Sequence, residues 1–82
     1  MKGRKLIKKV RSFTAFFDRN KNGSYTVTVP SLPGLVTEGS TLEDARSMAE
    51  DAIQCYVEGL KKDSEDIPEE TESAQVRITV TA

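Results

Sequence analysis

Tyr25-Thr26-Val27-Thr28-Val29-Pro30-Ser31-Leu32-Pro33-Gly34-Leu35-Val36-Thr37-Glu38-Gly39-Ser40-Thr41-Leu42-Glu43-Asp44-Ala45 compresses a strand, a turn, a second short strand and a helix start into one run. Tyr25, Val27 and Val29 alternate with Thr26 and Thr28, the two-residue period of a half-buried strand. Pro30 stops that strand, because proline has no N–H to give the ladder. Leu32-Pro33-Gly34-Leu35 predicts a type II turn, with Pro33 presetting φ at the second position and Gly34 taking positive φ at the third. Gly39 and Ser40 end the next strand, and Thr41 opens a helix. Ser40 is spaced from Glu43, and Thr41 from Asp44, as a capping box requires. The run contains no catalytic group.

Upstream, Val10 to Asp18 predicts a first strand, with Phe13, Ala15 and Phe17 on one side and Ser12, Thr14 and Phe16 on the other. Asn20-Lys21-Asn22-Gly23 is the hairpin turn, because Asn22 and Gly23 both tolerate positive φ. The second strand covers Ser24 to Val29 and the third roughly Leu35 to Glu38. Downstream, Leu42, Ala45, Met48, Ala49, Ala52, Ile53, Tyr56, Val57 and Leu60 keep the i, i+3, i+4 spacing of one buried helical stripe, ending near Lys62. Gly59 near that stripe is expected to permit close approach to the sheet. After an acidic connector broken by Pro68, Val76, Ile78 and Val80 alternate with Arg77, Thr79 and Thr81, which predicts a last strand. The order β-β-β-α-β with one amphipathic helix implies a two-layer α+β domain over residues 10–81, preceded by a basic arm at 1–9. One sheet face has no helix to cover it and must meet water or another chain.

Composition removes several function classes. Among 82 residues there is no histidine, the usual general base and commonest metal ligand, and one cysteine, which cannot form an internal disulfide. A single thiol fits a reducing cytoplasm. No run is long and apolar enough to span a membrane, and the basic start lacks the apolar core of a secretion signal. The net charge of −1 hides an asymmetry. Lys2, Arg4, Lys5, Lys8, Lys9 and Arg11 give residues 1–11 a charge of +6 with no acid, and the other six bases against thirteen acids leave −7 on the remainder. A basic arm on an acidic body suggests nucleic-acid contact at one end and a basic partner at the other, against the plainer reading of a solvated terminus.

Tyr25, Pro30, Leu32, Pro33, Gly34, Gly39, Thr41, Glu43 and Ala45, followed by Ala52, Tyr56, Leu60 and Ile67-Pro68, closely resemble the signature of the HicB antitoxin family. The resemblance covers roughly residues 10 to 81. It implies a truncated ribonuclease-H-like fold, with the sheet ordered 3-2-1-4 and the last strand parallel to the first. It also implies a role in binding and occluding a small basic RNA-cleaving toxin of the HicA type. Many family members carry a C-terminal DNA-binding domain. This sequence ends after its last strand pattern, so direct DNA binding is not expected of it.

The acids Glu50, Asp51, Glu58, Asp63, Glu65 and Asp66 are the candidate partner-binding residues, with Glu69 and Glu70 extending the same acidic surface along the connector, since a toxin that holds RNA must present a basic surface. Two other readings stand beside the antitoxin. One is a nucleic-acid-binding module using the six bases of the arm. The other is a metal-dependent nuclease using Asp18, Glu38, Glu43 and Asp44, whose plainer explanation is a strand end and helix-start acids favoured by the dipole. Cys55 and Met48 read as structural, with no base to activate the thiol. Neither catalytic residue nor cofactor is expected. The thin core, exposed edges and uncovered sheet face favour a homodimer.

Overall fold

The computed structural model describes residues 10–71 and 76–82, in the order β1 (Phe16–Arg19), β2 (Tyr25–Thr28), β3 (Val36–Gly39) and α1 (Leu42–Lys62). The three strands form one antiparallel sheet, ordered β1-β2-β3, with α1 packed on one face. Register pairs Phe17 with Val27 and Val27 with Thr37, and Phe16 with Thr28 and Thr28 with Val36. Alternation then decides the layers. Val27 is fully buried with Ala45 and Ala49 of the helix, and Phe17, Tyr25 and Ala15 pack around them. Phe16 and its cross-strand row fall on the opposite, open face.

β1 is shorter than its sequence pattern because of Pro30. Continuing the register backward from Phe16–Thr28 would set Thr14 opposite Pro30, which has no N–H, at a point where the chain has already turned. Leu32 N–H donates to the Val29 carbonyl at 2.9 Å, and Leu35 N–H to the Leu32 carbonyl at 3.1 Å. Two successive turns thus carry Pro30 and Pro33 at their second positions, and Gly34 takes φ 86° as a type II turn demands. Between them Leu32 swings fully inside, joining Val29 and Leu35 in a second core cluster under Ala52, Ile53, Tyr56 and Leu60. Burying each such aliphatic side chain contributes about 1.5–3 kcal/mol. A loop residue is therefore among the most deeply placed groups of the chain.

The hairpin turn differs from expectation in one detail. Only Gly23 adopts positive φ; Asn22 instead uses its side-chain oxygen to accept from the Ser24 N–H at 3.0 Å and hydroxyl at 2.7 Å. With Gly23 N–H donating to the Asn20 carbonyl and Asn20 N–H to the Ser24 carbonyl, this is a three-residue loop with a glycine bulge.

Thr41 caps α1, its hydroxyl accepting from the Asp44 N–H at 3.0 Å, while the Asp44 carboxylate accepts from the Ser40 hydroxyl at 2.7 Å. Glu43 and Asp44 at the first turn and Lys61 and Lys62 at the last suit the helix dipole. The helix ends in a Schellman arrangement, Ser64 N–H to Lys61 and Glu65 N–H to Leu60, with Ser64 in the left-handed region at φ 56°. Of the expected stripe, Leu42 and Met48 are half-exposed, since one lies in the first turn and the other at the stripe's edge.

The glycines correct another expectation. Space around Gly59 is open, so it makes no close approach to the sheet. Gly39 does: an added Cβ would collide with the backbone N and Cα of Ala45 and lie 2.8 Å from the Asp44 carbonyl carbon. Among the described residues, Val76, Ile78 and Val80 stand 71%, 79% and 76% exposed and outside any strand, and the described sheet has three strands.

Candidate interaction surface

The sheet's open face is built by register. One row runs Phe16–Thr28–Val36, with Val36 64% exposed, and the next Asp18–Thr26–Glu38. Asp18 and Glu38 thus flank the central strand from opposite edges, their backbones roughly 10 Å apart at the spacing of neighbouring strands. Glu43 and Asp44 lie at the helix start, where Asp44 is engaged by Ser40. Among the described residues no three potential ligands come together for a metal ion. Cys55 is free and exposed.

The outer face of α1 is acidic. Glu43, Glu50, Asp51 and Glu58 all stand exposed on the side away from the sheet, because the 3.6-residue period returns them there. Arg46 offsets Glu50 across a 3.8 Å solvent-exposed pair, and Gln54 donates to Glu58 at 2.9 Å. Such pairs add little stability and leave the side chains displayed. Asp63 caps the helix C-terminus, and Glu65 and Asp66 continue the exposed acids into the connector. All six candidate partner-binding acids therefore occur along one continuous segment, Glu50 to Asp66.

The sequence gives no sign of what the connector does next. The Glu70 carboxylate accepts from the Ser31 hydroxyl at 2.6 Å, the Thr14 hydroxyl at 2.7 Å and the Thr14 N–H at 2.9 Å. The Ser31 hydroxyl first, and then the Thr14 backbone and hydroxyl, hold its pKa below the ordinary 4.5. Arg11 meets Glu69 at 3.8 Å. The connector is thereby tied beside the start of β1, and Thr14, Phe16, Pro30, Ser31, Glu69, Glu70 and Thr71 line a shallow cavity. Partners 39 and 56 residues distant leave no periodic trace from which this clamp could be read.

The signature residues sit in structural positions. Tyr25 packs on the first core cluster, Leu32 and Ala45 are fully buried, Pro30, Pro33 and Gly34 form the turns, Gly39 touches the helix and Thr41 caps it. Tyr56 adds a tie, its hydroxyl donating to the Pro33 carbonyl at 2.8 Å. Of the six bases proposed for nucleic acid, Lys2, Arg4, Lys5, Lys8 and Lys9 lie outside the described residues, and Arg11 faces Glu69. No described helix is long and apolar enough to cross a membrane.

Residues 13–80 match the family model described as HicB_like antitoxin of bacterial toxin-antitoxin system. A UPF0150 protein of Thermoplasma acidophilum is 41% identical over 56 residues, 68% of this chain and 81% of that protein. A UPF0150 protein of Archaeoglobus fulgidus is 37% identical over 54 residues, 66% and 77% of the two chains. An uncharacterised 14.9 kDa protein of Haemophilus phage HP1 is 40% identical over 47 residues, which are 57% of this chain and 35% of the phage protein. No solved structure matches significantly. The match spans most of the chain, including both core clusters and the helix, and the chain belongs to the HicB-like antitoxin family of bacterial toxin–antitoxin systems.

Proposed function

We propose that this chain is an antitoxin module that binds a small basic RNA-cleaving toxin of the HicA type in the cytoplasm and covers its active site, without chemistry of its own. The observation that carries this is the set of exposed acids Glu50, Asp51, Glu58, Asp63, Glu65 and Asp66, which outnumber the bases Lys61 and Lys62 between them, in a member of an antitoxin family. A protein that holds RNA presents cations, and an acidic helix face competes for those cations as the phosphates do. Charge complementarity of this kind speeds encounter and selects the partner, while apolar contact supplies closure. The one-domain reading of residues 10–81 and the ribonuclease-H-like sheet, with a fourth strand beside β1, belong to the same proposal. Nucleic-acid binding by the arm is the alternative reading; of its six bases Arg11 alone is among the described residues, 3.8 Å from Glu69.

The test is inhibition of RNA cleavage by a HicA-type toxin from the same genome. Wild-type chain should inhibit stoichiometrically, and Glu50→Lys/Asp51→Lys/Glu58→Lys should weaken binding at least tenfold, about 1.4 kcal/mol or more. Undiminished affinity in the triple variant would remove the acidic face from the interface. Failure of the wild-type chain to inhibit would remove the toxin.

A further inference from the structure

The hairpin loop carries the chain's one Asn-Gly pair, Asn22-Gly23, and the other asparagine, Asn20, stands two residues before it. Glycine leaves its own main-chain nitrogen without a side chain to shield it. That nitrogen is the nucleophile in amide loss, the reaction that makes asparagine thermolabile. Once hydroxide has taken its proton, the Gly23 nitrogen attacks Asn22 Cγ. The N–Cγ bond forms, the Cγ–Nδ2 bond breaks, and Nδ2 leaves as ammonia with a proton from water, closing a five-membered succinimide. Water then opens the ring. Cleavage at Cγ gives aspartate, and cleavage at the main-chain carbonyl gives isoaspartate, in which the backbone runs through Cβ and Cγ.

The folded loop opposes this chemistry at both reacting groups. The Gly23 N–H donates to the Asn20 carbonyl at 2.9 Å, so its proton is turned into the loop and away from hydroxide. Asn22 Oδ1 accepts from the Ser24 N–H at 3.0 Å and hydroxyl at 2.7 Å. The Ser24 hydroxyl in turn accepts from Asn20 Nδ2 at 2.9 Å, and Asn20 Nδ2 also donates to the Thr26 hydroxyl at 3.0 Å. Asn22 is exposed, yet its side chain is tied through Ser24 and Asn20 to β2, the central strand of the sheet. Freeing the Gly23 proton and releasing the Asn22 side chain both require the loop to open.

We infer that Asn22 is a site of spontaneous deamidation that the Thr26–Asn20–Ser24 relay keeps closed in the folded loop and that converts when the hairpin opens. The two products differ in what the loop can hold. An aspartate at position 22 retains an oxygen for both Ser24 donors, and the Arg19 guanidinium lies beside the loop, 4.0 Å from where a Cβ on Gly23 would stand. An isoaspartate lengthens the main chain of a loop closed by the Gly23-to-Asn20 and Asn20-to-Ser24 bonds, which cannot both be kept. Conversion therefore marks the time that the hairpin has spent open. The inference is independent of any toxin.

Peptide mapping by mass spectrometry tests it on the full chain, incubated at mildly alkaline pH in buffer and, as the open reference, in guanidinium chloride. In denaturant Asn22 should convert faster than Asn20, whose following residue is Lys21. In buffer Asn22 should convert at least about tenfold more slowly than in denaturant, the factor that roughly one net hydrogen bond supplies. Ser24→Ala, and Thr26→Val at a residue that does not touch Asn22, should each raise the folded rate about threefold with helix circular dichroism unchanged. Asn22→Asp should keep the wild-type urea midpoint. An Asn22 rate in denaturant no greater than that of Asn20 overturns the site. Equal rates in buffer and denaturant overturn the lock, and that comparison needs no variant. Wild-type rates in both folded variants overturn the relay, and a large fall in the Asn22→Asp midpoint overturns the tolerance of the aspartate product.

Discussion

Gly39→Ala should be among the most damaging methyl groups that can be added to this chain. The new Cβ would collide with the Ala45 backbone, main-chain atoms held by the cap and by the buried Ala45 side chain, so no flexible neighbour can give way. Either β3 or the first turn of α1 must move. Overpacking of this kind costs about 1–3 kcal/mol, more where backbone must yield. Displacing the helix start also loosens the Thr41 cap, a further loss of about 1 kcal/mol. The expected total, about 3 kcal/mol, is a large part of the roughly 4–12 kcal/mol available to 82 residues. Urea unfolding followed by helix circular dichroism reads it. At a slope of about 1 kcal/mol/M the midpoint falls by roughly 3 M. Gly59→Ala is the internal control of opposite sign: with open space around it in the helix, it should raise stability by about 0.5–1 kcal/mol. A Gly39→Ala midpoint within about 0.5 M of the parent would refute the close approach of β3 to α1.

Other expectations concern the connector. Glu70 is held below its ordinary pKa in the folded chain, so the stability it lends is complete above pH 4.5 and is lost as pH falls through its folded value. Glu70→Gln should flatten that part of the acid limb in unfolding curves recorded between neutral and acidic pH; an unchanged limb counts against the clamp. Ser64→Gly should stabilise by up to about 1 kcal/mol in thermal unfolding, because a side chain is removed from the left-handed region at the helix end. A destabilised glycine variant would contradict that backbone assignment.

Much of the frame was legible because its signals are local. Pro30, Pro33 and Gly34 announce their turns by chemistry confined to four residues, and the helix from Leu42 to Lys62 declares itself by period and by its cap. The exposed position of Glu50, Asp51 and Glu58 follows from that same period. What escaped is long-range. Nothing near Glu70 indicates Thr14 or Ser31, and nothing near Gly39 distinguishes a strand-ending glycine from one pressed against Ala45. The early end of β1 was foreshadowed by Pro30, but only cross-strand register turns a stop on one strand into a stop on its neighbour. Alternation in Val76–Val80 predicts a strand from local pattern alone, while those residues stand exposed outside the three described strands.

The order in which the elements touch bears on how the chain acquires its shape. β1 packs on β2, β2 on β3 and β3 on α1, so the main associations of the frame join neighbours in sequence. Little loop entropy has to be surrendered before contacts form, the circumstance in which small domains fold fast. The frame is complete in sequence at Lys62, and the Glu70 clamp can close only on a β1 entry and a Ser31 turn already in place. Assembly would therefore run in two stages: the three-strand and helix body first, then the acidic connector fastened onto it.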